Sequence, residues 1–163
     1  MKTLFFYIIA CLFLVCCSKK SNDLSMVDMF IDVLKEDSTE NLESPKFTVD
    51  DISELLDYRN DELIISKFPR NPLSSLYMED VEVGMFVLWT IESLRMEAID
   101  DPNFYLFASL NPRVIRVSTS ELLDQNNILP IVAEAYFEWW NSSLTTEEKL
   151  EMYPLEGMDL KWN

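Results

Sequence analysis

The amino-acid sequence predicts a mainly α fold, an irregular helical array or bundle of about six helices with room for two short strands. Three observations carry that expectation. Apolar residues recur at helical spacing along most of the chain, one segment is apolar on nearly every face, and only two glycines, Gly84 and Gly157, stand among 163 residues. Scarcity of glycine weighs against a turn-rich β fold, because tight hairpins draw on residues with positive φ.

Val27, Phe30, Ile31 and Leu34 fall on one stripe with Asp28, Asp32 and Lys35 away from it, which makes a first amphipathic helix. Residues 37–46 are polar and include Pro45, a loop. Thr48 then precedes Val49, Asp50 and Asp51, an N-cap with acids in the first turn where the helix dipole favours them. Ile52, Leu55 and Leu56 form the buried face of this second helix. Leu63, Ile64 and Ile65 are too short a run for periodicity to choose between strand and helix. Pro69 and Pro72 mark a connection.

From Val83 to Met96 apolar residues crowd almost all faces, as expected of a helix in the middle of the core. Phe104 to Phe107 suits a strand or another helical turn, and Val114 to Val117 a short extended piece. Ser118 with Glu121 three residues on reads as a capping box. It predicts a helix over Leu122 and Leu123 that Asn126 and Asn127 end. Pro130 suits the first turn of the next helix, whose inward side carries Ile131, Val132, Ala135, Tyr136 and Trp139. Thr145 and Glu148 form a second capping-box signature, heading a short helix that stops before Pro154.

The amino terminus has a separate character. Met1 and Lys2 open a short basic segment, and Leu4 to Val15 run apolar without a break until Ser18, Lys19 and Lys20. That is the pattern of an export signal. A permanent spanning helix needs about 20 apolar residues, and this run is too short. Leu14-Val15-Cys16-Cys17-Ser18 resembles the lipobox of bacterial lipoproteins, where an aliphatic residue stands three positions before the modified cysteine. Cys16 departs from the small residue usual at its position. Modification at Cys16 instead would set Phe13 and Val15 in the specificity positions, a poorer fit. The resemblance implies a signal peptide over residues 1–16 and lipidation at Cys17. Residues 17–23 read as a lipidated polar tether, and 24–163 as a single helical domain.

In lipoproteins of the Bacteroidota type, acids directly after the modified cysteine act as a surface-export signal. Ser18, Lys19, Lys20 and Ser21 stand there instead. That departure implies a chain anchored in the bacterial outer membrane by its lipid and facing the periplasm.

Composition removes most chemistries. Thirteen basic residues against 29 acids give a net charge of −16, which excludes nucleic acid as a partner, since that binding rests on neutralising phosphates. The chain has no histidine, and Cys11, Cys16 and Cys17 all lie at the amino terminus. Ser-His-Asp triads, cysteine nucleophiles and histidine or thiolate metal sites are therefore unavailable to the domain, as are internal disulfides. Glycine-rich phosphate loops are missing too. The expected cofactor is none, and the acidic points at Asp50-Asp51, Asp57, Asp61-Glu62 and Asp100-Asp101 lack the spacing of an EF-hand, so no metal site is expected.

Carboxylate chemistry remains, chiefly glycoside hydrolysis by two acids. Glu134 and Glu138 are the candidate pair, one turn apart on the helix that carries Tyr136, Trp139 and Trp140. Successive side chains on a helix are about 100° apart, so Trp139 and Trp140 cannot both face one core. Trp140, with Trp139 and Tyr136 beside it, is the candidate binding surface.

Gly84 to Arg95, Gly-Met-Phe-Val-Leu-Trp-Thr-Ile-Glu-Ser-Leu-Arg, and Tyr153 to Trp162, Tyr-Pro-Leu-Glu-Gly-Met-Asp-Leu-Lys-Trp, resemble a family of uncharacterised lipoproteins from gut Bacteroidota. The resemblance covers most of the mature chain and brings no assigned chemistry. The function expected is that of a membrane-anchored cell-envelope lipoprotein, a non-enzymatic module that binds an envelope protein or a glycan. The alternative is a carboxylate-dependent glycoside hydrolase or a carbohydrate-binding protein.

Overall fold

The computed structural model describes residues 24–39, 42–70, 78–104 and 111–163. The expected signal peptide, Cys17, the expected tether and most of the Phe104–Phe107 stretch lie outside the described residues. Helix α1, Met26–Glu36, begins at Ser25, whose hydroxyl accepts from the Asp28 amide at 2.9 Å. It ends at Asp37, a left-handed cap with φ 47° whose amide donates to the Leu34 carbonyl. Val27, Phe30, Ile31 and Leu34 are its buried stripe. The Asp37 carboxylate accepts from the Ser66 amide and hydroxyl and from the Lys67 amide, which fastens this helix end to a later loop.

Thr48 caps the next element as its sequence implies, with Asp51 completing a capping box. The helix itself is broken into a 3-10 turn, Val49–Asp51, a four-residue helix α2, Ile52–Leu55, and a second 3-10 turn, Leu56–Tyr58. The ambiguous apolar run becomes strand β1, Ile64–Ile65, paired antiparallel with β2, Val81–Glu82.

Helix α3, Val83–Ala98, runs through the core and packs against α2, against α4, Gln125–Trp140, and against α5, Thr146–Glu151. Phe86 lies among Phe30, Phe68 and Trp89, with ring centroids 6.0 to 6.3 Å apart. Gly84 is required where α3 starts. A Cβ there would sit 2.5 Å from the Arg59 carbonyl oxygen and 3.0 Å from a Leu129 methyl.

The second half corrects the expected bundle. No helix forms over Leu122 and Leu123. Leu122 instead bridges to Ile115, and the Ser118 hydroxyl donates to Asp159 at 2.6 Å in place of capping a helix. Asn126 and Asn127 lie inside α4 and do not end a helix, and Pro130 stands within that helix beyond its first turn. The proline removes one helical donor. Its freed acceptor belongs to exposed Asn126, where water can satisfy it.

The tail also escapes the helical reading. Gly157, at φ 78°, and Asp159, at φ 53°, turn the chain into β4, Leu160–Trp162. This strand pairs antiparallel with β3, Val114–Arg116, in the register Val114 to Trp162. Among the described residues the fold is five α-helices with two small antiparallel sheets, a mixed architecture in place of a bundle of about six helices. No helix among them is long and apolar enough to cross a membrane.

Candidate functional site

Two sites grow from α4, one on each side of the helix. On its inner side Tyr136 is fully buried, and its hydroxyl donates to Glu92 Oε2 at 2.7 Å while accepting from Trp162 Nε1 at 2.8 Å. Glu92 and Arg95 are neighbours on α3, 2% and 5% exposed. The guanidinium grips the carboxylate with two bonds, Nε to Oε2 at 3.0 Å and Nη2 to Oε1 at 2.8 Å. Its remaining Nη1 donates to the Leu150 carbonyl at the end of α5. Trp139 Nε1 satisfies the adjacent Lys149 carbonyl at 2.7 Å. Four separate elements, α3, α4, α5 and β4, thus meet on one satisfied polar network.

Electrostatics follow from that enclosure. Burial pushes the Glu92 carboxyl above the usual glutamate range, against the lowering effect of Arg95 and the Tyr136 hydroxyl. Burial and the Glu92 charge drive the Tyr136 hydroxyl far up. Burial would lower the Arg95 guanidinium, but its bonds and charge pairing with Glu92 hold it above its ordinary value. Every group here is enclosed, so the network serves to hold elements together and offers no face to a ligand.

On the outer side of α4, a groove of about 840 Å³ opens between this helix and the segment from Met152 to Met158. Its apolar wall comes from Ile131, Trp139, Met152 and Met158. Ile131, Met152 and Met158 are 47%, 45% and 37% exposed, so this wall is open to solvent and Ile131, expected on the inward side of the helix, faces outward. Glu134, Glu138 and Glu156 also line it, all three exposed. Among the described residues its lining contains no Lys or Arg. The sequence accounts for the shape. Ile131, Glu134 and Glu138 recur at helical spacing on one face of α4, and Pro154 and Gly157 bend the following chain back beside it.

The structure therefore brings Glu134, Glu138 and Trp139 to one groove and leaves Tyr136 and Trp140 out of it. Trp139 is 7% exposed, with one edge on the groove, and Tyr136 is enclosed. Trp140 is half-buried, tilted against Trp139 at 5.3 Å between centroids and covered by the Lys149 ammonium at 5.3 Å. Glu156, Met152 and Met158 escaped sequence reasoning because the tail carries no periodicity that would show which way they face. Glu92 and Arg95 did leave a signal, two opposite charges three residues apart in a mostly apolar helix.

No three Asp, Glu, His or Cys side chains among the described residues come together in a way that could hold a metal ion. Just before α3, Glu82 is 1% exposed, and neither carboxylate oxygen has a hydrogen-bond partner among the described residues. Burial raises its carboxyl, and the charges of Glu62 and Asp124 raise it further.

No curated protein and no solved structure matches this chain. A family model described as a domain of unknown function, DUF4943, matches residues 21–163, a span that includes the buried network and the groove. The chain belongs to this uncharacterised domain family.

Proposed function

We propose that this protein is a cell-envelope lipoprotein, anchored through Cys17 in a bacterial outer membrane and facing the periplasm, whose domain works as a non-enzymatic binding module. The apolar groove beside α4 is its binding face, and that groove is the observation that supports the reading. Exposed apolar surface rimmed by charge is where soluble domains meet partners. The export signal and the lipobox-like Leu14 to Cys17 support the anchor.

Incorporation of a palmitate analogue tests the anchor. Wild type takes up label and Cys17→Ser does not; label retained in the variant overturns the assignment. A photo-crosslinking residue placed at Ile131 tests the binding face in intact cells, with one at Asp57 as the control. Adducts of equal yield and identity at both positions remove the groove from the reading.

Glycoside hydrolysis is the second reading, because Glu134 and Glu138 do share the groove. Both are exposed, whereas a general acid works best in an enclosed setting that keeps its proton. Release of reducing sugar from envelope glycans by wild type, lost in Glu134→Gln or Glu138→Gln, would establish it over the binding module.

A further inference from the structure

The groove beside α4 has a definite charge pattern, and we infer that its occupant is a cationic apolar peptide segment, a stretch of another protein that carries lysine or arginine beside bulky apolar side chains. The inference rests on the groove being a binding face. Its argument is complementarity of two kinds. Ile131, Met152 and Met158 offer apolar area to water that only an apolar ligand surface would cover. Glu134, Glu138 and Glu156 place three carboxylates on the same groove, with no Lys or Arg among the described lining residues to neutralise them.

A neutral or acidic occupant would bring its apolar parts to the wall only by crowding those three carboxylates with no compensating charge. Carboxylates are acceptors alone, so they match the donors of lysine and arginine. Dimensions agree with a peptide. Ile131 to Glu138 spans two turns of α4, about 10 Å of helix axis at 1.5 Å per residue. A space of about 840 Å³ takes several side chains and far exceeds a single ion. Lys149, the basic residue at hand on α5, is engaged over the Trp140 ring and lies outside the lining.

The chain's strong negative charge makes general electrostatic attraction the rival explanation, and the test separates the two. The lipidated full chain is carried in phosphatidylcholine nanodiscs, with empty discs as blank, and titrated calorimetrically. Three synthetic peptides serve as probes: an amphipathic leucine–lysine peptide, its leucine–glutamate counterpart, and a glycine–lysine peptide of equal charge without leucine. Only the leucine–lysine peptide binds tightly, and each of the others is at least about tenfold weaker.

Glu134→Gln with Glu138→Gln weakens that binding about tenfold, as does Ile131→Ser. Glu43→Gln with Asp57→Asn, the same loss of charge at exposed positions outside the groove, leaves it unchanged. Circular dichroism confirms that each variant is folded. Equal weakening by the Glu43 and Asp57 pair, or equal binding of the leucine–glutamate peptide, overturns the inference. Should none of the peptides bind while Ile131 still crosslinks a partner in cells, the cationic chemistry is wrong and the binding module stands. Failure of both experiments removes both.

Discussion

Glu82, just before α3, and Glu92, in its second half, are almost equally hidden from solvent, 1% and 2% exposed, and they meet opposite fates. Glu92 receives three donors, two from Arg95 and one from Tyr136. Glu82, the residue before the helix starts, receives none on its carboxylate, although its amide donates to the Gln125 side chain. Removing an acid's charge from water is offset only by partners in good geometry. At the Glu92 end those partners also fasten α4, α5 and the tail. The Glu82 end has backbone packed closely at Gly84 and an acid that two further acids, Glu62 and Asp124, oppose.

The largest effect should come from breaking the paired end. Arg95→Met strands Glu92 in the core and frees the Leu150 carbonyl, and removing one partner of a buried pair costs about 3–5 kcal/mol. Urea unfolding measures it. Adding Glu92→Leu should restore part of that loss, because the stranded charge is then gone. A double variant no more stable than Arg95→Met would show that the network's value lies elsewhere than in matching those two charges.

At the opposite end, Gly84→Ala forces a methyl against the Arg59 carbonyl, a backbone atom that cannot rotate away. Overpacking of this kind costs about 1–3 kcal/mol, read as a lower denaturation midpoint. The Gly84 amide also donates to the Asp61 carbonyl, so relief by shifting α3 would break that contact. Wild-type stability in Gly84→Ala would contradict the close packing assigned to this end.

Glu82→Gln should act in the reverse direction, raising stability at neutral pH by about 1 kcal/mol, because the amide carries no charge for burial, Glu62 and Asp124 to oppose. The sign follows from its raised carboxyl. A folded-state value above the ordinary 4.5 means the folded chain holds the proton more tightly than the unfolded chain. The associated stability is complete below 4.5 and is lost as pH rises through the higher folded value. Wild type therefore loses stability across that window, and Glu82→Gln flattens the slope. Glu92, raised in the same direction, leaves a residual slope. An unchanged or steeper profile in the variant would show that Glu82 finds its compensation in solution.

How legible these two ends are in the sequence depends on how local their causes are. Helix α3 is readable because its apolar residues crowd every face, and the caps at Thr48 and Thr145 because their partners stand three residues away. The capping-box pattern at Ser118 misleads because Asp159, far along the chain, takes the hydroxyl first. The tail is opaque for the same reason: β4 exists through its pairing with β3, and no period in its own residues announces it. Glu134 and Glu138 are correctly placed on one face of α4 by spacing alone. The rest of the groove depends on a turn at Gly157 whose direction is a tertiary fact.

Helix α5 is only six residues long, too short to stand without support from both ends. At its start, Thr145 and Glu148 satisfy each other's amides at 3.3 and 2.9 Å. At its finish, Trp139 and Arg95 supply donors to the Lys149 and Leu150 carbonyls. Thr145→Ala alone should cost about 1 kcal/mol, the usual value of a lost N-cap. In the Arg95→Met background the same substitution should cost less, because a helix released at its carboxyl end frays before the cap is lost. A double-mutant cycle reads the difference directly. Strict additivity would mean that α5 is held by its apolar contacts, with Leu150 foremost, and that the buried network stops at α4.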